Sequence, residues 1–112
     1  MTSYKFGDVV LVSFPFTDQT ITKKRPAIVV SSTDYNRQRP DLIIMAVTSR
    51  VKPSPSLGEV MVTQWKQTGL IKPSVIKPIC TTVEKGLVLK KLGLLTQQDQ
   101  QFLRAALQTI LG

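Results

Sequence analysis

The sequence predicts a mainly β domain with accessory α structure, a small barrel followed by one C-terminal helix. Three observations support this fold class. About five short runs rich in β-branched residues are bounded by turns that contain proline or glycine. Short strands joined by such turns favour a small barrel over a parallel sheet. The segment from Thr96 onward instead repeats apolar side chains at helical spacing.

With 112 residues, the chain has the length of a single domain, residues 1–112, and can bury a core without disulfides or metal. Asp8–Phe14 is predicted to be the first strand. A polar, mobile loop is expected over residues 16–24. Pro26–Ser31 is predicted to be the second strand, and its opening proline holds Arg25 extended at the strand entrance.

The middle of the chain predicts one helical turn and three more strands. Ser32–Asn36 has the composition of a single helical turn, and Leu42–Val47 is a continuous apolar run typical of a buried strand. Glu59–Thr63 alternates weakly, which suits an edge strand. Ser74–Val83 is predicted to be a further strand, in which Pro78 indicates an edge position or a bulge.

The last part of the chain predicts the helix. Gly86–Leu95 is compatible with a short strand or with a helical turn. Thr96 is a predicted N-cap, and Asp99 three residues later makes a variant of the capping box. One helix face is apolar, and we interpret it as core packing. Its residues are Phe102, Leu103, Ala106, Leu107, Ile110 and Leu111.

Composition restricts the chemistry that the chain can perform. It has no histidine and only seven scattered carboxylates, which argues against zinc sites, Ser-His-Asp triads and two-metal nuclease centres. We therefore expect no metal and no cofactor. The single cysteine, Cys80, excludes an internal disulfide, and we expect it to fill a small space in the core.

Charge indicates the kind of partner. Fifteen lysines and arginines give a formal net charge of +8, which suits nucleic acid or an acidic protein. A basic, soluble surface without such a partner would explain the charge equally well. No apolar run is long enough to span a bilayer and the N-terminus lacks an apolar signal segment, so we expect a cytoplasmic protein with no membrane contact.

Six motifs occur along nearly the whole chain in a specific order. They are Gly7-Asp8-Val9-Val10 leading to Phe14-Pro15, Lys24-Arg25-Pro26-Ala27-Ile28-Val29-Val30, Tyr35-Asn36, Ala46-Val47-Thr48-Ser49, Gly69-Leu70-Ile71-Lys72-Pro73-Ser74, and Leu92-Gly93. A lone Arg-Pro would carry no weight, but the ordered series resembles the MazF/PemK-like toxins of type II toxin–antitoxin systems.

The resemblance implies an SH3-like barrel with accessory helices that works as a homodimer. It also implies a metal-independent, sequence-specific endoribonuclease that cuts single-stranded RNA and is neutralised by an acidic antitoxin. RNA would lie in a groove across the dimer, where the antitoxin's C-terminal segment also binds, and DNA would be contacted only through the antitoxin. The catalytic positions of the family fall on Arg25 and Thr48.

Further candidate residues flank this pair. RNA-binding candidates are Phe16, Lys23, Lys24, Ser49 and Arg50. An arginine side chain is a poor general acid because it keeps its proton up to a pH above about 12. Asp18 is the only carboxylate in the loop before Arg25, and it is a candidate for proton transfer. A turn-forming aspartate is the alternative interpretation.

Two other function classes remain open at this point. One is a toxin of the same barrel that performs no chemistry and poisons DNA gyrase by binding, as CcdB does. The other is an inactive barrel that binds RNA without cutting it. The pairing of Arg25 with Thr48 favours the ribonuclease.

Overall fold

In the computed structural model, which describes residues 3–15 and 22–112, the chain forms one curled antiparallel sheet and two α-helices. The strands are β1 (Asp8–Pro15), β2 (Thr22–Val29), β3 (Asp41–Thr48), β4 (Val60–Val62), β5 (Ser74–Glu84) and β6 (Val88–Leu94). The helices are α1 (Thr33–Gln38), between β2 and β3, and α2 (Gln97–Leu111), and a 3₁₀ turn (Lys85–Leu87) precedes β6.

The sheet has the strand order β4-β5-β3-β2-β1-β6, so that β4 and β6 are its edges. This architecture is a half-barrel with a C-terminal helix, and it confirms the predicted mainly β fold class. It also confirms the helical turn before β3 and the edge position of β4. The segment that was ambiguous between strand and helical turn contains both, since the 3₁₀ turn runs directly into β6.

Both faces of the sheet are buried, which explains the continuous apolar runs in β2 and β3. Successive side chains of a strand point to opposite faces. Ile28 and Met45 accordingly pack in one cluster, together with Leu103 of α2. Ala27 and Ile44 pack in a second cluster on the other face.

Strand β2 begins earlier than the sequence predicted. Its pairing with β1 continues back from Pro26 to Thr22, which lies opposite Pro15. Lys23 and Lys24 are therefore strand residues, and the prediction of a loop up to residue 24 is wrong for the part from Thr22 onward. A β-ladder is made by backbone groups, so charged residues can extend it where their side chains reach solvent.

Pro78 lies in a bulge, as predicted. Met45 pairs with Cys80 and Val47 with Ile76, so three residues of β5 face a single residue of β3. Strand β4 pairs only with the first three residues of β5, and no other strand of residues 3–15 and 22–112 pairs with the rest of β5 on that side. Cys80 lies in the part of β5 beyond β4 and is exposed, so the prediction that it fills the core is wrong.

Helix α2 begins as predicted but is buried less completely. The Thr96 hydroxyl accepts a hydrogen bond from the backbone N–H of Asp99, at 3.3 Å, which confirms the N-cap. Of the apolar stripe, Leu103 is fully buried, whereas Phe102 and Ile110 are partly exposed and Leu111 is 74% exposed. The stripe is wider than the sheet surface that covers it, so its assignment to the core is correct only in part.

The carboxylate of Asp99 does not complete a capping box. It accepts hydrogen bonds from the backbone N–H and the hydroxyl of Thr63, at 3.1 and 2.7 Å, and from the backbone N–H of Gln64, at 3.3 Å. Asp99 thereby joins α2 to the turn that follows β4. No helix in the part of the chain that the structure describes is long and apolar enough to cross a membrane.

Candidate active site

Neighbouring strands bring Arg25 and Thr48 to the same end of the sheet. The β2–β3 ladder pairs Ala27 with Ala46. Continued by two residues, the same register sets Arg25 opposite Thr48. The ladder ends before it reaches them because Pro26 has no N–H to donate. By strand alternation both residues lie on the sheet face that carries Ala27.

Arg25 and Thr48 line two adjoining hollows in the surface. The first, the Lys72 hollow, has a volume of about 320 Å³ and is lined by Lys23, Lys24, Arg25, Pro26, Val47, Thr48, Ser49, Arg50, Leu70, Ile71, Lys72 and Ser74. The second, the Lys77 hollow, has a volume of about 430 Å³ and is lined by Arg25, Pro26, Ala46, Val47, Thr48, Arg50 and Lys77. We call the two together the groove.

The groove is strongly cationic. No aspartate or glutamate lines either hollow in residues 3–15 and 22–112, whereas lysines and arginines line both. The side chains of Arg25 and Arg50 are exposed at its surface. A guanidinium group presents several N–H donors in a plane and matches the geometry of phosphate oxygens. The groove therefore suits a phosphate-bearing ligand.

Thr48 is oriented by a hydrogen bond. Its Oγ1 accepts from the backbone N–H of Arg50, at 3.1 Å. A hydroxyl has one donor and two acceptor positions, so this bond leaves the hydroxyl hydrogen available to an oxygen bound in the groove. Thr48 is half-buried, which restricts the space in which that oxygen can lie.

The far wall of the Lys72 hollow is a turn that is seated by two glycines. Gly69 has a φ of +87°, and a Cβ there would collide with the carbonyl oxygen of Leu92. A Cβ on Gly93 would collide with the carbonyl oxygen of Thr68. The two backbones can approach this closely only because both residues lack a side chain. The turn is thus held against β6 and presents Ile71 and the following residue to the groove.

The structure places some of the candidate site residues in the groove and does not describe others. Lys23, Lys24, Ser49 and Arg50 line the same groove as the Arg25–Thr48 pair, and their roles remain predictions. Phe16 and Asp18 lie outside the described residues. The groove is also lined by Leu70, Ile71, Lys72 and Lys77, which were not among the candidates predicted from the sequence. The motif Gly69–Ser74 pointed to this region, but nothing in it indicated which strand end it would face.

Solved structures of similar fold cover essentially the whole chain. A MazE–MazF complex from Deinococcus radiodurans matches with a TM-score of 0.79 and 24% identity, covering 99% of this chain and 98% of that chain. An endoribonuclease in complex with its cognate antitoxin from a mycobacterial species gives 0.78 and 20%, over 100% and 96%. The Mycobacterium tuberculosis toxin MazF-mt6 gives 0.75 and 18%, over 93% and 95%.

A comparison with models of protein families gives one match that spans the domain. No curated protein sequence matches the chain. Residues 5–111 match the model of the PemK-like, MazF-like toxins of type II toxin–antitoxin systems. This range includes every strand and helix of the described residues and all residues that line the groove. The chain therefore belongs to the PemK-like, MazF-like toxin family of type II toxin–antitoxin systems.

Proposed function

We propose that this toxin is a metal-independent, sequence-specific endoribonuclease that cuts single-stranded RNA and so inhibits translation and growth. The observation that carries the proposal is the position of Arg25 opposite Thr48 in an exposed, cationic groove. The similarity in fold to a mycobacterial protein described as an endoribonuclease supports it.

The proposed reaction is an internal displacement at phosphorus. The 2′-OH of the nucleotide on the 5′ side attacks the neighbouring phosphorus, and a P–O2′ bond forms while the P–O5′ bond breaks. A proton leaves the 2′-OH, and a proton is added to the departing 5′ oxygen. The products are a 2′,3′-cyclic phosphate and a free 5′-OH, and the step consumes neither water nor metal.

Arg25 and Thr48 act on the charge that develops during this step. In the transition state, negative charge accumulates on the phosphoryl oxygens. The guanidinium of Arg25 stabilises that charge, and the Thr48 hydroxyl donates a hydrogen bond beside it. For proton transfer we retain Asp18 as the candidate, since no carboxylate lines the groove in the described part of the chain.

The proposal includes the partners of the toxin. We infer that it acts as a homodimer in the cytoplasm and is neutralised by an acidic antitoxin whose C-terminal segment occupies the groove. A formal charge of +8 favours such a partner electrostatically. The Deinococcus radiodurans relative has been solved together with MazE. DNA would be contacted only indirectly, through the antitoxin.

The central test removes the guanidinium. Purified protein with EDTA present should cut single-stranded RNA, and mapping of the fragment ends should give 5′-OH and 2′,3′-cyclic phosphate termini. Arg25→Ala should lower the cleavage rate about 100- to 1000-fold without unfolding the protein, as is typical when one transition-state donor is lost. Arg37→Ala is the matched control, because it removes another exposed arginine at a position outside the groove.

A second pair of variants tests the hydroxyl. Thr48→Ser keeps a donor at the same place and should retain most activity, whereas Thr48→Val keeps the shape and should lose it. Undiminished cleavage by Arg25→Ala and Thr48→Val would overturn the proposal. Toxicity that survives Arg25→Ala, together with capture of gyrase, would instead indicate a CcdB-like poison. RNA binding without fragments would indicate an inactive barrel.

A further inference from the structure

The two hollows beside Arg25 and Thr48 differ in their positive charge. Apart from the residues that both share, the Lys72 hollow adds three lysines, and the Lys77 hollow adds one. The Nζ atom of Lys77 lies 3.4 Å from a carboxylate oxygen of Glu59. None of the ion pairs among the described residues involves Lys72. The charge of Lys77 is therefore balanced within the protein, and that of Lys72 is not balanced by such a pair.

The partner of Lys77 is itself held in place. The other carboxylate oxygen of Glu59 accepts a hydrogen bond from the backbone N–H of Ser56, at 2.8 Å. The Glu59 side chain in this ion pair is 7% exposed. A phosphate entering the Lys77 hollow would meet a lysine whose charge is already paired with Glu59, a residue outside the lining of the hollow. This hollow is poorly suited to a second phosphate.

The Lys72 hollow offers an apolar contact as well as charge. Ile71 is 86% exposed on its rim, while its neighbour Leu70 is buried and anchors the turn. The seating of Gly69 against Leu92 fixes the backbone that carries both side chains. An isoleucine held out to solvent beside an unpaired lysine matches the two surfaces of a nucleotide, the face of a base and a phosphate.

We propose that the two hollows are unequal nucleotide subsites, and this inference rests on the proposed nuclease function. From the phosphate at Arg25 and Thr48, the RNA backbone continues through the Lys72 hollow. There Lys72 contacts the next phosphate and Ile71 contacts a base. The Lys77 hollow receives the nucleoside on the other side of the cut and binds no additional phosphate.

The test measures binding separately from cleavage. The probe is a short, fluorescently labelled single-stranded DNA of mixed sequence, which lacks the 2′-OH nucleophile and cannot be cut by the proposed reaction. Its affinity is measured by anisotropy over a range of KCl concentrations. Each phosphate contact with a single strand contributes a slope of about 0.7 to the fall of log K with log salt concentration. Lys72→Met should reduce the slope by about that amount.

Lys66→Met is the matched control for this variant. Lys66 lies in the turn that precedes Lys72 and is also exposed, but its Nζ lies over the Trp65 ring, and Lys66 lines neither hollow. Its replacement should leave the slope unchanged. Equal effects of Lys66→Met and Lys72→Met would overturn the proposal, as would an unchanged slope in Lys72→Met or a failure of the wild-type protein to bind the probe.

Two more variants separate the apolar contact from the charge. Ile71→Ser should weaken binding roughly fivefold at every salt concentration and leave the slope unaltered, because an apolar contact releases no counterions. Glu59→Gln keeps an acceptor for Ser56 and frees Lys77, so the slope should rise by up to about 0.7. A slope change in Ile71→Ser, or none in Glu59→Gln, would contradict the assignment of the two hollows.

Cleavage of RNA and binding of the DNA probe distinguish a failure of the nuclease proposal from a failure of the unequal subsites. If ordinary RNA is not cut but probe binding depends on Lys72 as described, the enzyme is refuted and the phosphate subsite remains. If RNA is cut but Lys72→Met binds the probe like the wild type, the unequal subsites are refuted and the enzyme remains.

Discussion

The groove and the junction between α2 and the sheet both bring polar side chains together, but the junction buries a charge and the groove exposes several. At the junction, Asp99 has no exposed surface and its carboxylate accepts three hydrogen bonds. In the groove, Arg25 and Lys72 are exposed, and no acidic side chain from the described residues lines it.

The difference follows from desolvation. A buried carboxylate is tolerated only where hydrogen bonds replace the water that it has lost, so the bonds to Asp99 are a requirement of folding. An exposed cation has no such requirement, since water solvates it. Clustered cations without carboxylates therefore do not stabilise the fold by themselves, and they become useful only when an anionic partner binds.

The two regions are nevertheless connected. The turn that begins at Thr63, where Asp99 holds it, ends at Gly69, where β6 seats it, and then forms the wall of the groove. We therefore expect the junction to help position Ile71 and Lys72 from the opposite end of the turn. Mutations at the junction and in the groove should be separable by what they change.

The largest effect on stability is expected from Leu103→Ala. Leu103 is fully buried in the core cluster that α2 shares with the sheet. Its truncation should lower the free energy of unfolding by about 2–5 kcal/mol, measured by urea denaturation, with an unaltered cleavage rate per folded molecule. Leu111→Ala is the control, because the same truncation at a 74% exposed position should have little effect. If Leu103→Ala lost cleavage activity without losing stability, the distinction between the core junction and the groove would be wrong.

Asp99→Asn tests the connection between the α2 junction and the groove. The amide offers one acceptor oxygen where two carboxylate oxygens now accept, so a donor of Thr63 or Gln64 should lose its partner. The expected cost is about 1–3 kcal/mol of unfolding free energy. Because the groove wall is displaced, the KM for RNA should rise more than kcat falls.

The control for that variant is Asp34→Asn, which removes an exposed carboxylate in the first turn of α1, away from both regions. It should leave KM unchanged. If Asp99→Asn loses stability but keeps the wild-type KM, then the junction does not position the groove wall.

Local patterns in the sequence predicted the elements whose boundaries are set locally. The hydroxyl of Thr96 fixes the start of α2, and the apolar run of β3 reflects burial on both faces. The bulge at Pro78 was predictable because proline cannot donate to a ladder. The early start of β2 could not be predicted, because backbone pairing alone does not change the pattern of apolar and polar side chains.

Non-local features could not be read from the sequence in this way. Cys80 is exposed, and whether a strand side chain is covered depends on what packs against that face of the sheet, which the local pattern does not show. The short length of β4, only Val60–Val62, was likewise not evident from the sequence. The roles of Arg25 and Thr48 came from the resemblance to a family. Lys72 reaches the groove at the end of a turn that contacts Asp99 and β6, both distant from it in the chain.

A smaller effect on stability is expected from Thr96→Ala, which alters only the N-terminal end of α2. Loss of the N-cap hydroxyl leaves the N–H of Asp99 without its acceptor, at a cost of about 1 kcal/mol of unfolding free energy. Thr109→Ala is the matched control, because the Thr109 hydroxyl bonds back to the Ala105 carbonyl within the helix. Such a bond adds little to helix stability, so this variant should be neutral or slightly stabilising. Equal losses in the two variants would refute the importance of the cap.

The smallest effect is expected on the acid side of the stability profile. A hydrogen bond from the Arg39 side chain lowers the pKa of Asp41 below its ordinary 3.8, and the Ser56 backbone N–H lowers that of Glu59 below its ordinary 4.5. A carboxyl whose folded pKa is depressed stabilises the protein above its unfolded pKa, and this contribution is lost as pH falls through the folded value. Stability should therefore decline below about pH 4.5.

Asp41→Asn and Glu59→Gln should each make that decline shallower, measured as the melting temperature between neutral and acid pH. Both side chains lie outside the Asp99 junction, so the effect should be additive with Thr96→Ala. If Glu59→Gln does not change how the melting temperature falls at acid pH, then the Glu59 carboxylate is not held by Ser56 and Lys77 as described. The cation of Lys77 would then be as available to a phosphate as that of Lys72, and the charge difference between the two hollows would disappear.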